Sequence, residues 1–215
     1  MRKHAARPFT LIELIAVMGV LILLAAVAIP AYSSLFAGRK TTLAANQVSG
    51  AVMEARGHAV SSKAYTALVF VRDSSSDKGY TSVRIAEVYH DPDTANESYA
   101  WRRWVAGLAF TLLPENTMIP ATEADLGTTS TSKPDKGSGS LTKISNLTYS
   151  GLNVTSNVPA IIFKPNGQLA GTKDKNVVIR FVESNRYEAN PTLAPKLPLN
   201  INWLTCKAKY LDPVE

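Results

Sequence analysis

Few residues in this chain have the types and spacing that chemistry requires. The three histidines, His4, His58 and His90, lie far apart, and no His-x-x-x-His or Cys-x-x-Cys pattern offers a zinc site. Neither a Gly-x-Ser-x-Gly elbow nor a Walker sequence is present. Asp91, Asp93 and Glu97 could together offer oxygens to Ca²⁺, but their spacing is not that of an EF-hand and Pro92 stiffens it. A solvated acidic loop is the expectation there. Arg102 and Arg103 stand between Trp101 and Trp104, and Lys207 and Lys209 precede Tyr210. Cations beside π faces can hold single-stranded nucleic acid. In a regular strand, however, Arg102 and Trp104 would share one face and Trp101 and Arg103 the other. Tryptophans at that spacing are expected as core or as subunit contacts. The chain therefore reads as a non-enzyme without a cofactor or metal, and nucleic acid is not an expected partner.

The residue that asks most for an explanation is Glu13. From Phe9 to Ile29 only Thr10 and Glu13 are strongly polar. An apolar run of about 20 residues spans a bilayer as a helix. A charge within such a run costs about 2.5–3.5 kcal/mol on insertion scales and calls for a named partner. Residues 1–8 are short and basic, which keeps that end in the cytoplasm and places the remainder on the outer side. A secretory signal peptide cut after Ala28 and a plain signal anchor carrying a periplasmic binding domain are the two general readings. Neither gives the glutamate a role.

The bulk composition narrows the partners. The chain has 215 residues, enough for one ordinary core plus an appendage. Three of its 23 basic residues, Arg2, Lys3 and Arg7, precede Phe9, which leaves 20 against 17 acidic ones. That excess is too small to argue for a polyanion. Cys206 is the single cysteine, expected as a small buried hydrophobe rather than half of a disulfide.

The stretch Phe9-Thr-Leu-Ile-Glu-Leu14, its apolar continuation and the proline at Pro30 resemble the N-terminal signal of type IV pilins and type II secretion pseudopilins. The resemblance implies cleavage by a prepilin peptidase between Pro8 and Phe9, with N-methylation of Phe9. Pro8 stands where the family usually has glycine. The new amine of Phe9 then supplies the partner of Glu13, within a subunit or between neighbours, because each charge alone is poorly solvated in lipid. Phe9, Glu13 and Pro30 are thus the implied assembly residues, Pro30 lying where the family's helix can unwind. The implied partners are other pilin or pseudopilin subunits, the peptidase, the inner-membrane assembly platform and the membrane itself. A second, looser resemblance joins Leu112-Leu-Pro114 and Ala160–Gly167 to the H-type minor pseudopilins and T-type minor pilins. It implies a structural pseudopilus subunit, with a minor pilin acting in DNA uptake or adhesion as the alternative. The implied location is the inner membrane, crossed once, with the C-terminal body in the periplasm.

These features predict the elements that must position them. Residues 1–8 are a leader, 9–30 a transmembrane and assembly helix, 31–62 its amphipathic continuation, and 63–215 a β-rich globular domain. Ala44, Val48, Ala51, Val52, Ala55 and Ala59 form one helix stripe, small enough for close approach to a sheet. Gly38, Gly50 and Gly57 weaken that helix. Thr66–Arg72 and Tyr80–Tyr89 read as a hairpin, Trp101–Leu113 as containing a third strand that ends at Pro114, and 121–140 as an exposed loop. Strands are also expected within 141–150, 160–163, 177–182 and 201–210, with a tight turn at Lys164–Gly167. The expected class is α+β: a long N-terminal helix, its first half membrane-spanning, packed on an antiparallel β-sheet or small β-sandwich.

Overall fold

The structure, a computed structural model, describes residues 11–72, 79–91, 98–121, 126–129, 141–145, 147–149, 152–154, 158–171 and 175–211. At 27–38, 126–129, 148–149 and 152–154 the description is of the backbone alone. Two compact units divide between Arg39 and Lys40. Helix α1, Leu11–Ser62, belongs to both.

In the first unit every side chain from Leu11 to Ala26 is exposed. Among the described residues no helix is long and apolar enough to cross a membrane. The apolar run read from the sequence begins and ends outside the described side chains, at Phe9 and Ile29.

The second unit is dominated by strands: β1 (Thr66–Val71), β2 (Gly79–Tyr80), β3 (Ser82–Asp91), β4 (Ser98–Trp104), β5 (Thr111–Leu112), β6 (Thr117–Pro120) and β7 (Leu126–Thr129). They are followed by β8 (Thr142–Ser145), β9 (Leu147–Tyr149), β10 (Leu152–Val154), β11 (Val158–Phe163) and β12 (Asn176–Glu183). Short helix α2 (Ser184–Ala189), β13 (Leu197–Ile201) and β14 (Ala208–Tyr210) complete the order.

The α+β expectation is overturned by how these strands pair. The described residues hold more strand than helix, and the first sheet closes on itself. Its order runs β1-β11-β8-β4-β3, and β3 pairs back to β1 through Thr66↔Glu87 to Val71↔Ser82. The result is a five-stranded barrel, with β5 added at the edge of β3. An odd number of strands cannot alternate direction around a closed ring, so one neighbouring pair must run parallel. That pair is β4 and β8. Neither a simple antiparallel sheet nor a sandwich describes this, and α1 is not a long helix laid along one sheet, since its exposed first part lies in the other unit. A second sheet of order β14-β13-β12-β6-β2 also takes β7 onto β12. Residues 126–129, expected within a loop, are therefore paired strand; the rest of 122–140 lies outside the described residues.

Barrel closure explains why β1 is buried on both faces. Ala67, Val69 and Val71 join the interior cluster with Ala86, Val88, Ile144, Ala160 and Ile162. A barrel this small admits side chains only, so alanine recurs inside. Leu68 and Phe70 face the other way, into a second cluster with the α1 stripe, Ile161, Phe163, Phe181 and Leu199. All six stripe residues expected from the sequence are 5% exposed or less. The helix runs unbroken through Gly38, Gly50 and Gly57, and through Pro30. Arg56 fastens the stripe by donating Nε to the Gly167 carbonyl (3.1 Å) and Nη1 to that of Thr205 (2.8 Å). Gly167 closes the expected turn at φ +81°, its N–H donating to the Lys164 carbonyl.

Ala55 is fully buried, whereas a Cβ at Gly57 would meet open space. Ala55→Leu should therefore lower stability by about 1–3 kcal/mol through overpacking. Gly57→Ala should raise it by about 0.5–1 kcal/mol through the helix backbone. Thermal unfolding followed by tryptophan fluorescence reads both signs.

Candidate functional site

Among the described residues, charge is concentrated with built geometry where β3, β4 and the end of α1 meet. Its centre is Glu87. Val83, Ile85 and Glu87 alternate along β3, and the first two are buried in the helix-facing core. Glu87 falls on the same apolar phase and is only 3% exposed. A carboxylate removed from water needs hydrogen-bonding or charged partners.

Three are supplied. Arg103 donates Nε to Oε2 and Nη2 to Oε1, both at 2.9 Å, in a two-pronged pair. His58 Nε2 lies 3.2 Å from Oε1, reaching across from α1. Arg102 Nη1 is 3.5 Å from Oε2. The hydrogen bonds from Arg103 hold the Glu87 carboxyl below the usual carboxylate range; burial opposes this, and His58 and the charge of Arg102 reinforce it.

Two adjacent strand residues should not reach the same carboxylate. They do so because the β3–β4 register slips: Glu87 pairs with Arg103, and Val88 with Trp101. Arg102 is the extra residue of a β-bulge, which re-aims the side chains around it. The expectation that Arg102 shares a face with Trp104, and Trp101 with Arg103, is thereby corrected. Both arginines turn to Glu87, while Trp101 and Trp104 come together at 6.1 Å between ring centroids and pack on the barrel interior. Arg102 also lies 5.3 Å over the Tyr89 ring, and Arg84 lies 4.5 Å from both the Trp104 and Phe110 ring centroids. Both tryptophans are half-buried against the barrel interior, on one face, and Trp104 also stacks on Arg84.

The other sequence candidates are not brought together. Lys207 and Lys209 are exposed at and beside β14, in the second sheet, whereas the arginines belong to the barrel. Tyr210 donates its hydroxyl to Asn46 on α1. Asp91 is exposed at the end of β3, and Asp93 and Glu97 lie outside the described residues. Among the described residues no group of three or more metal-ligating side chains exists. Cys206 is buried, 3.2 Å from the Gly167 carbonyl, and burial pushes its thiol up to about 11. It behaves as the expected small hydrophobe. Glu13 is exposed near the start of α1; Pro8 and Phe9 lie outside the described residues, as does the side chain of Pro30.

Glu87 was not among the sequence candidates. The signal that could have found it is a carboxylate on the apolar phase of a strand. His58, noted only as a helix residue, could not be paired with it without the tertiary structure. The arrangement as a whole offers no nucleophile and base within reach of each other. Its chemistry is cohesion between elements. Compared with known families, curated proteins and solved structures, the chain matches none.

The two arginines are unequal partners of Glu87. Arg103→Gln should lower the urea midpoint of the body clearly, because it removes two short charge-assisted bonds and strands a buried carboxylate. Arg102→Gln, which removes one longer contact, should shift it little. Equal midpoints for the two variants would contradict this ranking.

Proposed function

We propose that this chain is a structural subunit of a type II secretion-like pseudopilus, without catalytic activity of its own. The observation that carries the reading is the sequence Phe9–Leu14 with its apolar continuation to Ile29 and the proline at Pro30. Prepilin peptidase cuts between Pro8 and Phe9 and methylates Phe9. The subunit waits in the inner membrane, inserted once through residues 9–30, with its body in the periplasm. It enters the filament from the assembly platform by packing residues 9–30 against those of neighbouring subunits. Glu13 sets register by pairing with the Phe9 amine.

Exposure supports the need for such a partner. Leu11, Ile12, Leu14, Ile15, Val17 and Met18 are each 53–78% exposed, and the pattern continues through Leu24. Apolar surface this continuous calls for lipid or protein to cover it. The reading as a nucleic-acid receptor draws less support, because Arg102 and Arg103 are engaged with Glu87 and stand in a different sheet from Lys207 and Lys209.

Mass spectrometry of the protein isolated from membranes should find a mature N-terminus at Phe9 carrying one added methyl group. A chain still beginning at Met1, or one cut after Ala28, would reject the proposal. Glu13→Ala should insert into the membrane at least as well as the parent, because a charge has been removed from an apolar run. It should fail to enter filaments, scored by co-sedimentation with sheared pseudopili. Normal incorporation of the variant would remove the role assigned to the glutamate.

A further inference from the structure

We infer that Arg84 is the receptor for a carboxylate, which binds at one end of the barrel in the plane of the guanidinium. Arg84, Ala86 and Val88 alternate along β3, and the latter two line the barrel interior. Arg84 enters that interior from the end of the row, and its register partner on β1 is Val69, another interior residue.

The chain around it is built as a notch. β4 leaves β3 after Trp104, which pairs with Ala86, and β5 returns to it at Thr111, opposite Val83. Arg84 lies between these two pairings. The intervening residues turn at Gly107, whose φ is +82°, and the Leu108 N–H donates to the Val105 carbonyl. The turn brings Phe110 beside Trp104, with ring centroids 6.2 Å apart and planes inclined by 52°. At that angle the rings form a V, and the guanidinium carbon sits in it, 4.5 Å from each centroid. Ring faces attract the charge, but they are not acceptors for N–H groups lying in the guanidinium plane.

What the notch lacks is an acceptor. Arg84 Nε is sealed from solvent without a hydrogen-bond partner, and so is the indole Nε1 of Trp101, whose ring is 6.1 Å from that of Trp104. Among the described residues no carboxylate pairs with Arg84. Glu87 belongs to the opposite phase of β3 and is held by Arg103, Arg102 and His58. Buried donors are as a rule satisfied, and each exception asks for a partner. The notch lies at the surface, since Arg84 is half-buried and Ala106, Gly107 and Ala109 on the turn are exposed. A carboxylate fits it because two oxygens match two parallel N–H groups of a guanidinium, whose planarity sets the direction of approach.

Tryptophan emission of the full chain in detergent, titrated with sodium acetate against sodium chloride at matched ionic strength, reads the site through Trp104. Acetate should give a saturable change and raise the thermal midpoint, and chloride should do neither. Arg84→Gln should abolish saturation. Arg84→Lys keeps the charge without the planar fork and should raise the half-saturating concentration by about tenfold. N-acetylglutamate α-amide, run beside acetate, separates the sources. Tighter binding than acetate assigns the carboxylate to an acidic side chain of a protein partner, and weaker binding assigns it to a free solute. Should Arg84→Gln not fold, the parent and Arg84→Lys decide. No saturation by either carboxylate, or saturation that Arg84→Lys leaves unchanged, overturns the proposal.

Discussion

Burial of one narrow stripe of small side chains governs the body of this protein. Ala44, Val48, Ala51, Val52, Ala55 and Ala59 are 5% exposed or less and share a core with the outer face of the barrel and the inner face of the second sheet. Alanine and valine let the helix backbone come close to both, and dispersion at that distance is collectively large. The ties of Arg56 on the helix to the loop carbonyls of Gly167 and Thr205, and of Tyr210 on β14 to Asn46 on the helix, matter because the stripe has already fixed the separation they span.

The barrel follows a constraint of a different kind. Five strands cannot close with every neighbour antiparallel, so one parallel pair is forced, and it falls between β4 and β8. Its narrow bore selects alanine and β-branched residues inside. On the side facing α1, the phase that supplies Val83 and Ile85 to the core also supplies a carboxylate. The protein meets that cost with a bulge that turns Arg102 and Arg103 toward Glu87 and a histidine that reaches it from the helix. Only the Glu87 side of these pairs is buried, the arginines being exposed, and such pairs are weak support for stability on their own. Their consequence here is specificity, because they fix how the helix end sits against one strand pair.

The functional reading rests on the other unit. Residues 11–26 are helical and exposed. The proposed role takes its form from the resemblance of Phe9–Pro30 to the pilin and pseudopilin signal, with the helix proposed as attachment and the body as shape.

The sequence by itself determined whatever depends on local periodicity. The α1 stripe was legible because a 3.6-residue repeat of small apolar side chains has one meaning. The pairing of Thr66–Val71 with the strand ending near Tyr89 was legible from alternation and an intervening turn, as was the turn ending at Gly167. The apolar run and Glu13 were legible because an unbroken hydrophobic stretch admits few readings. Only the tertiary structure decided what depends on long-range closure. Nothing local says that β3 returns to β1 around a ring, since every strand would look the same in an open sheet. Residues 126–129 read as loop because a single short strand gains its stability from β12, some fifty residues away. The bulge at Arg102 had no sequence signature, and relative to Trp101 and Arg102 it put Arg103 and Trp104 on the opposite faces from those that simple alternation gives. Glu87 therefore stayed hidden, for its partners come from α1 and β4 and meet only after both have packed.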